Sequence, residues 1–179
     1  MTYREFVSQL ASTAPSHSDL SAVGLRDDLA LKIINQHHIQ PRESQVEIQF
    51  PVHDGVIDLI RNYDVSKLEI GMVSFLDIPV NHGNYLHFAQ VESDPMLLSL
   101  KGDVLVVDWQ QFDHVIWQCA ANSGKFFKAM IITSQFLTLN LLDDAIYNDE
   151  TLATSVAASA AHAAGGTDYL SFYQMLLGV

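Results

Sequence analysis

The segment "KGDVLVVDWQQFDHVIWQCAANSGKFFKAM", residues 101–130, decides the fold class. Two apolar runs of strand length, "DVLVVDW" and "HVIWQCA", are separated by the short polar connector "QQFD". Asn122 or Ser123 then offers an N-cap for a helix that places Phe126 and Phe127 on one face. The segment therefore predicts two neighbouring strands followed by a helix that lies across the sheet.

The same alternation of apolar runs and short connectors extends upstream to about residue 68. The earlier runs are "LEIGMVSFLDI", "NYLHFAQV" and "MLLSL", and their connectors are "PVNHG", "ESDP" and "KGD". Parallel strands need crossover connections of about a dozen residues or more, which is longer than any of these connectors. The central part of the chain is therefore predicted to be an antiparallel meander.

Helical patterns precede this meander. Thr2 and Glu5 have the spacing of a capping box, which predicts a first helix. The segment "LSAVGLRDDLALKIINQHH" has helical spacing through Leu25, Leu29 and Ile33. Between the N-terminal helices and the sheet, "VEIQFPV" is predicted to be a short strand and "HDGVIDLIRNYD" a short helix.

Helical patterns also follow the meander. An acidic helix start at "DDAIYNDE" leads into an Ala-rich segment that Gly165 and Gly166 end, and "TDYLSFYQMLL" is predicted to be a last short helix. We therefore expect one α+β domain over residues 1–179, with an antiparallel meander covered by helices. Its parts are a helical N-terminal part (1–44), an α+β core (45–140) and a helical C-terminal extension (141–179).

Composition restricts the class of partner. The 179 residues are 49% hydrophobic, which suits one compact domain. Nine Lys and Arg stand against 21 Asp and Glu, so the net charge is -12, opposite to the basic footprint that binding to a phosphate backbone requires. We expect no nucleic acid partner. The acidic field favours encounter with a cationic surface, and the alternative is that it serves solubility alone.

Several features predict the compartment. The N-terminal "MTYREFVSQL" lacks the apolar core of a signal peptide, and no run approaches the roughly 18 apolar residues of a membrane helix. Cys119 is the single cysteine and lies in an apolar run, so it is expected to be a core residue. We therefore expect a cytoplasmic protein with no membrane partner.

Motifs of catalysis are missing from the sequence. It contains no phosphate-binding G-x-x-x-x-G-K-[ST], no G-x-G-x-x-G after a strand, no G-x-S-x-G and no H-E-x-x-H. A small metal-dependent enzyme is one alternative, and it would require His82, His87 and His114 to converge at one sheet edge. The expectation is that the protein is not an enzyme and has no catalytic residue, cofactor or metal.

The run "YLHFAQVESDPMLLSLKGDVLVVDWQQFDHVIWQCAANSGKFFKAM" resembles the SUKH superfamily, which includes many bacterial immunity proteins and a yeast cell-wall regulator. The resemblance lies in the order of its features. An apolar strand ending in Phe88 and Ala89 is followed by an acidic turn, a Leu-rich strand and Gly102, and then by a second strand and the helix containing Phe126 and Phe127. It spans roughly residues 45–140.

What the resemblance implies is a binding protein. Bacterial members of the superfamily look like antidotes that bind a toxin, often a nuclease or a deaminase, without covalent chemistry. The implied partner is a cationic toxin domain, which the net charge of -12 also suits.

The loops of the meander are the expected contact surface. They are the loop from Asp77 to His82, the turn from Glu92 to Asp94 and the loop from Asp108 to Asp113. The candidate partner-binding residues are Asp77, Glu92, Asp94, Asp108, Trp109 and Asp113. Two interpretations of Trp109 stay open, an aromatic anchor for the partner or a core residue at a strand end, whereas Trp117 is expected in the core.

A third class of function is a structural or regulatory adaptor. On that interpretation the Ala-rich C-terminal helices associate with a second copy of the chain, and an exposed apolar face of this tail would be the sign. The sequence leaves open whether the tail packs on its own core or on another chain.

Overall fold

The computed structural model of the protein describes residues 1–179 and has α+β architecture. The helices are α1 (Tyr3–Thr13), α2 (His17–Ala22), α3 (Asp27–His37), α4 (Gly55–Asn62), α5 (Ser123–Leu142), α6 (Asp144–Tyr147), α7 (Glu150–Ala164) and α8 (Leu170–Leu177). The strands are β1 (Gln40–Pro41), β2 (Tyr63–Asp64), β3 (Glu69–Ile70), β4 (Val73–Asn81), β5 (Tyr85–Val91), β6 (Asp94–Ser99), β7 (Val104–Val107) and β8 (Val115–Ala120).

The six strands from β3 to β8 form one sheet in sequence order, and each is antiparallel to its neighbour. The predicted antiparallel meander is thus confirmed. The two short strands β1 and β2 pair separately. The ladders of β4, β5, β7 and β8 contain irregularities, which bend a sheet locally.

Helix α5 follows the last strand, as the opening segment predicts. Asn122 is its N-cap, and its side chain accepts a hydrogen bond from the Lys125 N–H at 3.0 Å. Phe126, Phe127 and Met130 are fully buried in the main core. The helix therefore covers one face of the sheet with the side chains that its periodicity places on one side.

The main core draws on all parts of the chain. A single cluster of 35 buried residues includes Phe6 of α1, Phe88 of β5 and Leu176 of α8. The backbone N–H of Ala121 donates to the Ala164 carbonyl at 3.0 Å, which ties the end of β8 to the end of α7. The question about the tail is thereby answered, since its apolar face is buried on its own core. The alanines in that cluster are Ala157, Ala160, Ala161 and Ala164.

Two local predictions are wrong. The segment "VEIQFPV" forms no strand; it runs beside the edge of β4, where the Asn81 side chain donates to the Gln49 carbonyl at 2.7 Å. The long helical pattern after the first loop is broken into α2 and α3, because Gly24 takes a φ of 80° that ends α2. As a consequence Leu29 is left 44% exposed.

Of the two residues of β8 that were expected in the core, one is fully buried and the other is not. Cys119 is fully buried, and burial raises the pKa of its thiol well above the ordinary range. Trp117 is only half-buried and packs with its ring centroid 6.4 Å from that of Phe172. None of the helices has the length and apolarity needed to cross a bilayer.

Candidate protein-binding surface

Two of the predicted loops meet at one end of the sheet. The turn at Glu92 joins β5 to β6, and the 108–114 loop joins β7 to β8. Because β6 begins where β7 ends, both connections leave the sheet at the same end. The Asp94 carboxylate accepts a hydrogen bond from the backbone N–H of Trp109 at 3.2 Å. The two loops are therefore joined directly.

We call this end of the sheet the acidic end surface. Its members are Glu92, Asp94, Asp108, Trp109 and Asp113. No Lys or Arg lies in either loop, because the chain has no cationic side chain between Lys67 and Lys101 or between Lys101 and Lys125. The two loops thus carry four carboxylates and one exposed tryptophan, and neither loop contains a Lys or Arg.

Trp109 is an exposed residue. Its side chain is on the surface at 57% exposure, so the interpretation as a core residue is wrong. Its backbone is held by Asp94 while its ring is left open to solvent. A backbone that is already held loses less conformational entropy on binding, and tryptophan is enriched among interface anchors.

The carboxylate of Asp108 shapes its own loop. One oxygen accepts from the Gln110 N–H at 2.7 Å, and the other lies 3.9 Å from His114 Nδ1. The Asp108 N–H donates to the His114 carbonyl at 3.0 Å, which closes the base of the loop. The carboxylates of Asp94 and Asp108 therefore already have partners within the protein, whereas the side chains of Glu92 and Asp113 are exposed.

The 108–114 loop also folds back over the outer face of the sheet. The ring of Phe112 lies 4.9 Å from that of His82, which follows β4 at the other end of the sheet. On this outer face Leu97, Leu105 and Val107 form a small buried cluster apart from the main core. The loop is thereby positioned on the sheet.

Glu92 has a strained backbone. It is the only residue other than glycine with a positive φ, 54°, in the two-residue turn between Val91 and Asp94. Side chains with a Cβ rarely adopt this conformation, and strain of this kind concentrates at functional positions. The Glu92 N–H donates to the Met72 carbonyl at 3.4 Å, so the turn after β3 lies next to the acidic end surface.

Asp77 does not belong to this surface. The segment from Asp77 to Asn81 lies in β4, so the prediction of a loop there is wrong. The Arg42 guanidinium binds both the Asp77 carboxylate, at 2.5 Å, and its backbone carbonyl, at 3.0 Å. Arg42 has only 14% of its side chain exposed, so Asp77 serves to hold the segment after β1 against β4.

The three histidines considered as metal ligands do not form a metal group. The rings of His82 and His87 lie 6.2 Å apart, but no group of three or more His, Cys, Asp or Glu side chains is placed to hold a metal ion. Burial, and then the neighbouring His82, lower the pKa of His87. His114 is instead placed beside Asp108.

A buried carboxyl elsewhere has a structural role. Asp54 accepts from the Val56 N–H at 2.8 Å and from the Ser123 hydroxyl, and so connects the first turns of α4 and α5. Burial raises the pKa of Asp54, against the effect of these hydrogen bonds.

Sequence reasoning missed two exposed apolar residues next to the acidic end surface. Phe112 is 37% exposed within the acidic loop, and Met72 is 39% exposed in the turn that Glu92 contacts. The signal for Phe112 was in the connector "QQFD", where an aromatic residue stands beside an acid in a loop. Met72 carries no such signal, because only the register of β4 with β5 brings it near Glu92.

Comparison with known proteins identifies no relative. No protein-family model, no curated protein and no solved structure matches the chain.

Proposed function

We propose that the protein is a non-catalytic binding protein of the cytoplasm, and that it is an immunity protein for a cognate bacterial toxin of nuclease or deaminase type. The observation that carries the proposal is the acidic end surface, where two joined loops carry the exposed ring of Trp109 together with Glu92, Asp94, Asp108 and Asp113. A toxin that acts on nucleic acid has a cationic groove, and this surface has the opposite charge.

Chemistry at the surface supports binding in preference to catalysis. Trp109 supplies exposed apolar area in loops that also carry four carboxylates, and protein interfaces commonly combine an aromatic hot spot with a polar rim. The hydrogen bond from Trp109 to Asp94 fixes the anchor before the partner arrives. Preorganisation of this kind lowers the entropic cost of association.

The direct test is co-expression with the product of the gene adjacent to that of this protein. We expect a stable complex in a pull-down and survival of cells that the neighbouring product otherwise kills. Survival without a complex would show protection by another route, and a complex without rescue would leave a binding protein that is not an antidote. Failure of both would contradict the proposal.

A further inference from the structure

A second feature lies beside the acidic end surface. Helix α3, the turn between β3 and β4, and the second half of α5 line an open cavity of about 250 Å³. Gly71 lines this cavity and is followed by Met72, whose carbonyl accepts from the Glu92 N–H. The turn that contains Gly71 and Met72 therefore links the cavity to the acidic end surface.

The lining of the cavity is part apolar and part polar. Four of its ten residues are hydrophobic, namely Ile33, Ile70, Leu137 and Leu141. Gly71 takes a φ of 59°, and a Cβ there would lie 3.1 Å from Leu137, so the glycine lets the turn approach α5 closely. An occupant with an aliphatic part would be covered on several sides.

One carboxylate stands among the polar groups of the lining, which are Gln36, His37, Glu69, Ser134 and Thr138. Glu69 places its carboxylate at the rim, where it accepts from the Gln36 side chain and lies 3.7 Å from the ammonium of Lys32. The Lys32 side chain is 65% exposed, so it is a weakly held cation that an occupant can replace. The carboxylate thus already attracts a positive group in the free protein.

His37 also lines the cavity, and its hydrogen bond to the main chain indicates the tautomer of its ring. The residue is 92% buried, as its exposed fraction is 8%, and its Nδ1 lies 2.9 Å from the Ile33 carbonyl. Since a carbonyl only accepts, Nδ1 donates, and Nε2 of the neutral ring is left as an acceptor. Burial lowers the pKa of His37, which favours this neutral form near pH 7.

We propose that this cavity, the arginine slot, receives an arginine side chain of the cationic partner. Its aliphatic stem lies against Ile33, Leu137 and Leu141, and its guanidinium reaches Glu69. Arginine fits because it combines an apolar stem with several donors in one plane, and it is enriched in interface hot spots. The inference deepens the proposed function and rests on it for the identity of the partner.

The slot is testable without any partner protein, so its failure and that of the proposed function are distinguishable. The probe is butylguanidinium, added to the methyl-labelled protein and followed by NMR. We expect shifts of the Ile33, Leu137 and Leu141 methyl signals, with a dissociation constant on the order of millimolar. Butylurea, which has the same shape and no charge, should bind at least about fivefold more weakly, and butylammonium reports whether charge alone suffices.

Glu69→Gln is the variant that tests the carboxylate, and Glu47→Gln is its control, since Glu47 is an exposed acid away from the cavity. We expect Glu69→Gln to weaken butylguanidinium binding about fivefold or more and Glu47→Gln to leave it unchanged.

Three results would overturn the slot. They are an absence of localised shifts, equal binding of butylurea, and undiminished binding to a folded Glu69→Gln protein. Binding of the probe without any toxin partner would keep the slot and reject the proposed function.

Discussion

The carboxylate of Asp94 and the backbone N–H of Trp109 are joined by a hydrogen bond of 3.2 Å across two loops that are 15 residues apart in sequence. This contact turns two acidic connections into one surface. It also separates the roles of the acids, because Asp94 positions the anchor whereas Glu92 and Asp113 leave their side chains exposed to a partner.

Asp94→Ala should release the 108–114 loop. Losing the acceptor for the Trp109 N–H is expected to lower the free energy of unfolding by about 1 kcal/mol and to decrease the fluorescence anisotropy of Trp109. The measurement uses a Trp117→Phe background, so that Trp109 is the single tryptophan. Asp113→Ala in the same background is the control, and equal anisotropy in the two variants would contradict a positioning role for Asp94.

Glu92→Gly should stabilise the protein. Its φ of 54° is costly for a residue with a Cβ and free for glycine, so we expect a gain of about 1 kcal/mol in urea unfolding. Ser93→Gly, at the adjacent turn position without a positive φ, should give no such gain. If Glu92 contacts the partner, the Glu92→Gly variant will be more stable but will bind the partner more weakly. Unchanged binding would show that the strained backbone of Glu92 has no role in binding.

Asp77→Ala should destabilise the fold without changing partner affinity. The variant removes the carboxylate partner of the largely buried Arg42, so we expect a loss of about 1–2 kcal/mol. Asp113→Ala should give the opposite pair of results, near-normal stability and weaker binding. Weakened binding by a folded Asp77→Ala protein would restore Asp77 to the contact surface.

Asp54→Asn should gain stability relative to the wild type as the pH rises from 4 to 7. The folded pKa of Asp54 is raised above its ordinary value of 3.8 by burial, so the folded state holds this proton longer than the unfolded state. The free energy of unfolding of the wild type therefore decreases as the pH rises from 4 to 7. The variant has no carboxyl group at this position, so it does not show this decrease. Urea unfolding at several pH values measures the difference.

The control for that experiment is Asp64→Asn. Hydrogen bonds from Ser66 lower the pKa of Asp64 below 3.8, so its stabilising effect is lost only at more acid pH. The difference between this variant and the wild type should stay constant from pH 4 to 7. A constant difference for Asp54→Asn as well would show that its carboxyl is not perturbed.

The sheet and its covering helix were predictable because their signals are local. Short connectors exclude parallel pairing, and the spacing of Phe126 and Phe127 after Asn122 predicts how α5 meets the sheet. The segment from 46 to 52 was not predictable in this way. Its apolar residues suit a strand, but its hydrogen bonds go to a side chain and to Arg61, so it lies beside the sheet without joining a ladder.

The surface was predictable in part. Acids in the connectors at Glu92 and Asp108 are visible in the sequence, and the meander brings such connectors to one end. Asp77 was predicted to lie in a loop because Pro79 is typical of the end of a strand. In the structure β4 continues through Pro79 to Asn81, so Asp77 lies within the strand. The arginine slot was beyond sequence reasoning, because α3, the turn at Gly71 and α5 are distant in the chain.

The acidic end surface as a site of protein binding is tested most directly by the affinity of the neighbouring gene product for two matched variants. Glu92→Lys with Asp113→Lys, and Glu43→Lys with Glu47→Lys, each change the net charge from -12 to -8, because each reversal adds two charges. The first pair alone lies on the proposed surface. We predict that it weakens binding at least about tenfold and reduces the salt dependence, while the second pair leaves affinity near that of the wild type. Equal affinities for the two folded variants would contradict the assignment of binding to this surface.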